Sequence, residues 1–233
     1  MSKELIGIIG AMDIEVNALI ASMKSKKEKI IGSIKFVKGK LNGKNVVVAR
    51  CGIGKVFAGI CAQTMILEYS PTVVINTGVA GSLERGLNVL DAAVAKDVVQ
   101  HDMDTSALGD PKGLISGINV VNIKTSDKLS YALKIAALRV GCNVKEGTIA
   151  SGDKFMSNAQ EKANVNKEFG AIACEMEGAA IGQVCYVNNV PFGVLRTISD
   201  GDGAEMDYMT FAPKAAEQSI NILNEFLINY KGV

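Results

Sequence analysis

What this chain lacks narrows its function early. It has one histidine, His101, and no second soft ligand stands at a useful spacing from it. The neighbouring Asp102 and Asp104 therefore do not make a metal site, and none is expected. None of its five cysteines is spaced as CxxC. Cys51, Cys61, Cys142, Cys174 and Cys185 lie in apolar stretches and read as reduced, buried thiols. Charge of one sign is not in excess: the formal net charge is +1, which gives no footprint for nucleic acid or an acidic membrane. No apolar run approaches the roughly 18 residues of a membrane span. The first such run, Leu5 to Met12, is short and meets Asp13 and Glu15 at once, so it is not a secretory signal and a cytoplasmic location is the default expectation. Linkers, repeats and low-complexity segments are also missing. With 48% hydrophobic and 21% charged residues, the chain has the make-up of an ordinary globular protein with ample core, read as one domain over 1–233.

The periodicities alternate. "ELIGIIG" (4–10) reads as a buried strand and "DIEVNALIASMKSKK" after it as an amphipathic helix. "IKFVKGKLNGKNVVVARCG" is a hairpin around Asn42-Gly43. Residues 55–70 form a helix stopped by Pro71, and "TVVINTG" (72–78) is an apolar strand running into a glycine-rich turn, "GVAGS". Strands follow at 92–100, 144–153, 169–176 and 191–200, with a loop at 101–117 and helices at 125–141, after 176 and at 212–230. This pattern predicts a three-layer α/β/α sandwich with a central mixed β-sheet.

Ligands of such folds sit beyond the carboxyl ends of strands. The predicted strand ends carry Met12 and Glu15, "GVAG" (78–81), "SGDKFM" (151–156), "EMEG" (175–178) and "RTISD" (196–200). "GIIGAM" lacks the GxGxxG spacing of a dinucleotide site, and Asp13 and Glu15 would repel a pyrophosphate there. "GDKF" is not followed by the GK[ST] of a phosphate loop. In "CEMEGAA" two carboxylates, Glu175 and Glu177, stand in an apolar stretch where burial is costly. If a helix starts at Glu177, its carboxylate faces backbone N–H groups. Capping explains that residue as well as polyol binding does; acids at two other strand ends favour the polyol.

In their order and spacing "IGIIGAMDIEV", "CGIGKVFAG", "VINTGVAGSL", "IASGDKF", "ACEMEGAAIGQVC" and "VPFGVLRTISD" resemble bacterial 5′-methylthioadenosine/S-adenosylhomocysteine nucleosidases, of the nucleoside phosphorylase superfamily. The resemblance spans nearly the whole chain. It implies a nucleoside phosphorylase-like fold, a homodimer, no cofactor, and hydrolysis of an N-glycosidic bond that releases adenine and a 5-thioribose. It also implies a place in recycling methionine and spent S-adenosylmethionine, and in making the precursor of a quorum-sensing signal.

Such a reaction must protonate the departing base, stabilise an oxocarbenium-like sugar and aim a water at the anomeric carbon. By resemblance Asp200 is the general acid at adenine N7, oriented by Ser199, and needs an environment that keeps a proton on it. Glu15 activates the water with Arg196 nearby, though a buried ion pair of Arg196 with Glu175 is an equally good reading. Glu177 binds the ribose hydroxyls and Glu175 supports it. Phe155 stacks on adenine and Met156 offers its backbone to the base edge. Met12, Ile53, Met176 and Tyr208 line the sugar and thioalkyl pocket, although such residues are more often plain core. Thr105 and Leu108 reach across the dimer interface to the neighbouring subunit's substrate. Val79 stands where several relatives have Ser, which removes a hydroxyl near the water, and the segment after Asp200 is about two residues shorter than in some relatives.

Three alternatives stay open: a phosphate-dependent nucleoside phosphorylase, which the carboxylate of Glu15 disfavours; a nucleosidase for 6-amino-6-deoxyfutalosine, which would use the same residues; and a non-catalytic binding protein, whose signature would be loss of Asp200 or Glu15.

Overall fold

The computed structural model describes residues 4–201 and 204–232, with 204–206 as backbone only. The chain runs β1 (Ile6–Gly10), α1 (Asp13–Ser22), β2 (Lys24–Ile31), β3 (Ile34–Leu41), β4 (Lys44–Arg50), α2 (Lys55–Tyr69), β5 (Val73–Ser82) and β6 (Ala92–Gln100). It continues through a 3₁₀ turn (Ser106–Leu108), β7 (Asn122–Lys124), α3 (Asp127–Arg139), β8 (Val144–Ser151), α4 (Ala159–Phe169), β9 (Ala171–Glu175), α5 (Gly178–Val187), β10 (Phe192–Asp200) and α6 (Ala204–Asn229).

All the described strands join one mixed sheet, in the order β10-β6-β8-β9-β5-β1-β4-β3-β2, with β7 on β6. β10 also pairs with β5, so β5, β9, β8, β6 and β10 close on themselves while β1, β4, β3 and β2 form an open wing. Alternation across β1 shows how the layers arise. Ile6 and Ile8 pack with Val16 and Leu19 of α1, Leu129 and Leu133 of α3, and Leu223 and Phe226 of α6. Ile9 faces the other side, with Ala62 and Met65 of α2 and Ile181 and Cys185 of α5. The α/β/α layering and the mixed sheet are those expected.

Local differences have physical causes. The first helix stops at Ser22, and "KSKKEKII" is an edge strand, β2, paired antiparallel with β3 and exposed along most of its length. Backbone pairing overrides local preference here, and the lysines guard a free edge against further strands. "GVAGS" is not a turn: β5 continues through Ser82, pairing with β10 on one side and with β9 at Gly81 and Ser82. Its glycines answer to the site described below. Helix α4 has no counterpart in the sequence reading, although Asn158 caps its first N–H groups and Gly170 ends it in the left-handed region. The last helix begins well before the expected Ala212 and runs through Pro213. That leading segment carries Tyr208. All five cysteines are free and buried, as expected. No helix among the described residues is long and apolar enough to cross a membrane.

Candidate active site

The carboxyl ends of β1, β5, β9 and β10 meet over one pocket. Ala11, Met12, Glu15, Ile53, Val79, Gly81, Phe155, Cys174, Glu175, Met176, Glu177, Arg196, Ser199, Asp200 and Tyr208 line it. Of the residues expected there, only Met156, Thr105 and Leu108 do not. The Met156 side chain is buried beside Leu83, Val99 and Ala150. Thr105 bonds Asp110 in the 101–117 loop, and Leu108 is 84% exposed. A wider cleft of about 870 Å³ lies at the end of α5, but its only charged lining residue is Lys124. The smaller pocket, about 80 Å³, is where charge converges.

Glu15 sits in the first turn of α1 and is 2% exposed. One carboxylate oxygen accepts from the N–H of Ala11 at 2.7 Å and of Met12 at 2.9 Å. The other accepts from the Val79 N–H at 3.0 Å. Burial pushes its pKa above the ordinary value, against the opposing pull of Arg196 and these three N–H groups. The strand β5 must be glycine where it passes. A Cβ on Gly78 would lie 2.3 Å from Glu15 Oε1, and one on Gly81 would lie 2.8 Å from Asp200 Oδ2. That close approach is why "GVAG" is glycine-rich yet extended.

Arg196, on β10 and 1% exposed, organises the centre. Its guanidinium is ion-paired to Glu175, donates to Asn76 Oδ1 at 2.5 Å and to the Val79 carbonyl at 3.3 Å, and lies 3.5 Å from Glu177 Oε2. The expected Arg196–Glu175 pair is therefore present. Replacing Arg196 by Met should destabilise the fold by about 3–5 kcal/mol, because buried carboxylates lose their cation. Glu15 and Glu177, already raised by burial and held down by Arg196, then keep their protons to higher pH, so the loss should be largest at alkaline pH and shrink as pH falls. Chemical denaturation at two pH values measures both.

The capping question in "CEMEGAA" resolves to Glu175. Its oxygens accept from the N–H groups of Glu177 at 3.1 Å and Gly178 at 2.8 Å, and it also bonds the Ser151 hydroxyl. Glu177 makes no side-chain cap to its own helix. One of its oxygens accepts from the Gly54 N–H at 2.9 Å. Burial raises its pKa, as does the nearby Glu175, while Arg196 opposes both.

Asp200 ends β10, 2% exposed. Its Oδ1 lies 2.9 Å from the Ser199 hydroxyl. Its Oδ2 accepts from Lys162 Nζ of α4 at 2.8 Å. The expected surroundings for this acid are apolar; the structure instead gives it a buried ammonium partner. In the pocket wall, burial pushes the Cys174 thiol up to about 12, so it is an uncharged surface. Phe155 and Tyr208 meet edge to face, with ring centroids 5.3 Å apart, and the Tyr208 hydroxyl lies 3.3 Å from Met12 Sδ. Tyr208 is thus at the pocket despite the short segment before it.

Asn76, Gly54, Ser151 and Lys162 were not anticipated. Asn76 had a signal, a polar side chain inside an apolar strand, where it ties Ile9 of β1 to Arg196. Among the described residues no group of three His, Cys, Asp or Glu could hold a metal.

The strand ends of this α/β/α sandwich thus hold a pocket in which buried carboxylates surround one arginine. Residues 5–228 match the family model described as the phosphorylase superfamily, to which this chain belongs. Within it, the chain belongs to the 5′-methylthioadenosine/S-adenosylhomocysteine nucleosidases, which are N-glycosyl hydrolases. It is 41% identical to that nucleosidase of Actinobacillus succinogenes over 221 residues, covering 94% of this chain and 96% of the relative. The crystal structure of the Neisseria meningitidis nucleosidase in complex with methylthio-immucillin-A superposes with a TM-score of 0.92 at 34% identity, covering 97% of this chain and 99% of the other. The futalosine hydrolase of Helicobacter pylori strain 26695 superposes with a TM-score of 0.91 at 37% identity, covering 96% of this chain and 97% of the other.

Proposed function

We propose that the described chain works as one catalytic unit that hydrolyses the N-glycosidic bond of 5′-methylthioadenosine and S-adenosylhomocysteine. Adenine leaves together with 5-methylthioribose or S-ribosylhomocysteine. The observation that carries this reading is the convergence of Glu15, Glu177 and Asp200 on one pocket that also presents Met12, Ile53, Met176 and Phe155. A thioalkyl nucleoside needs that combination of carboxylates and soft apolar surface.

In the step we infer, the C1′–N9 bond breaks and its electron pair passes to the base. Asp200 gives its proton to N7, so adenine departs neutral. The water oxygen bonds C1′ from the other side, and Glu15 takes the water's proton. Glu177 holds the ribose hydroxyls and offsets the positive charge developing on the sugar. Arg196 and Glu175 keep these carboxylates in register. Phe155 stacks on the base, the Met156 backbone meets its edge, and Ser199 orients Asp200. No cofactor or metal enters this scheme.

Glu15 must be ionised to accept the water's proton, and burial raises its pKa. The acidic limb of the kcat/KM profile is therefore expected above the ordinary carboxylate range near 4.5, with activity lost as pH falls through it. A limb at or below the ordinary value contradicts Glu15 as the base.

A subunit partner completes the reading. Ile53, Val56, Phe57 and Ile60 place an apolar stripe at helical spacing along α2 and its approach, and all are exposed. Such a stripe on a helix face marks an interface. We assign it to a homodimer in which the loop with Thr105 and Leu108 covers the partner's 5′ substituent. Sedimentation at micromolar concentration should give twice the chain mass.

The futalosine hydrolase similarity favours 6-amino-6-deoxyfutalosine as a second substrate. Adenine release from all three nucleosides, compared as kcat/KM, tests both readings. Cleavage of none of them overturns the function; cleavage of 6-amino-6-deoxyfutalosine alone replaces the proposed substrates. With the two thioadenosine substrates the reaction serves nucleoside recycling, in the cytoplasm, with return of methionine carbon and sulfur as its expected outcome.

A further inference from the structure

Lys162 is the only fully buried side chain of α4, a helix otherwise exposed or half-buried. Val165 and Phe169 pack the helix against Leu83, Val99 and Ala150, yet the deepest residue is a lysine. Its Nζ lies 2.8 Å from Asp200 Oδ2 and 2.7 Å from the Gly201 carbonyl. Both partners of the pair are almost wholly inaccessible, at 5% and 3% side-chain exposure. A buried ion pair is weak evidence of a stabilising role, since desolvation offsets most of the attraction. Its location is the better clue: the carboxylate it holds is the one assigned as the general acid.

Among the described residues, the other groups around Asp200 leave Lys162 as the charge in direct contact with it. From β9 comes Cys174, uncharged. From α6 come Tyr208 and Asp207, whose carboxylate accepts from the Gly201 N–H at 3.3 Å. From the turn after β5 come Glu84 and Arg85, which border a cleft on the far side of Lys162. Glu84 is paired with Lys145. From β10 itself comes only the Ser199 hydroxyl.

We propose that Lys162 is a positioning residue for the general acid: it aims Asp200 Oδ2 and stabilises the carboxylate left after proton transfer to the base. This rests on Asp200 acting as the acid. As the proton moves to N7, negative charge is left on a carboxylate whose Oδ2 lies at hydrogen-bond distance from the ammonium, and that helps a poor leaving group depart.

The test replaces Lys162 by Met, nearly isosteric and uncharged. A charge-assisted hydrogen bond to the carboxylate formed in the step is lost, so kcat with 5′-methylthioadenosine should fall at least about tenfold while KM changes little. Lys162→Arg, which keeps the charge, should restore much of that kcat. A 5-methylthioribosyl substrate with a p-nitrophenolate leaving group needs no proton, and its rate should be the same in all three proteins. A purely structural role would depress both substrates together; that result overturns the proposal. If Lys162→Met does not fold, Lys162→Gln, which keeps a donor for the Gly201 carbonyl, carries the same test. Asp200→Asn separates the two levels. If it hydrolyses 5′-methylthioadenosine at the wild-type rate, the general-acid reading fails and this inference with it. If it is inactive while Lys162→Met turns over 5′-methylthioadenosine at the wild-type rate, only the role of Lys162 fails.

Discussion

Asp200→Asn is expected to lower kcat for 5′-methylthioadenosine by a factor of about 100 to 10,000, the range of a general acid. Asn keeps the shape of Asp and can still meet the Ser199 hydroxyl, which lies 2.9 Å from Oδ1 in the native protein. It cannot deliver a proton to N7. Binding of a non-hydrolysable thioadenosine analogue should change little, because Glu177, Phe155 and the apolar wall are untouched. One side effect is expected. Lys162 loses its buried anion, so the variant should unfold at a lower temperature than wild type, and assays belong below that point. With the nitrophenolate substrate the loss should almost vanish. Near-wild-type turnover of 5′-methylthioadenosine would refute the role of Asp200.

Glu15→Gln is expected to cause a loss of similar size, but for every leaving group. The amide cannot take the proton of the attacking water. It also fits its cradle badly. Three backbone N–H groups point at the two carboxylate oxygens of Glu15, and an amide has one oxygen and an N–H₂ that would face a donor. The contrast between the two variants is the informative quantity. A leaving-group-dependent loss at Asp200 and a leaving-group-independent loss at Glu15 place the two residues on opposite sides of the reaction. Equal responses would show that one assignment is wrong. Parallel measurements of kcat with both substrates give the answer.

The layout of the site could largely be read before the fold was known, for a physical reason. Buried strands are written in apolar residues, so Glu15, Glu175, Glu177, Arg196 and Asp200 at their ends stand out as charge where charge is costly. What could not be read was which charge meets which. Glu175 and Glu177 are equivalent in the string "EMEG"; only the backbone turn at Met176 gives the cap to Glu175 and leaves Glu177 facing the pocket. Lys162 was hidden more deeply. It is one of two lysines in "AQEKANVNKEF", with nothing local to mark it as the buried one, and its partner lies 38 positions away. The glycines of "GVAGS" were visible but pointed to a turn. Their cause is steric, the carboxylates of Glu15 and Asp200 pressed against an extended strand, and no local pattern encodes that. The edge strand β2 was missed because lysine-rich sequence carries no burial signal, and its pairing with β3 is purely a backbone affair.

The central claim is that Glu15 directs water to the anomeric carbon. Its most direct test is a chromatographic product assay with 5′-methylthioadenosine, run with and without inorganic phosphate. The account predicts adenine and free 5-methylthioribose at a rate indifferent to phosphate, since a buried carboxylate repels that anion. Phosphate-dependent turnover yielding a sugar 1-phosphate would contradict it and make the protein a phosphorylase.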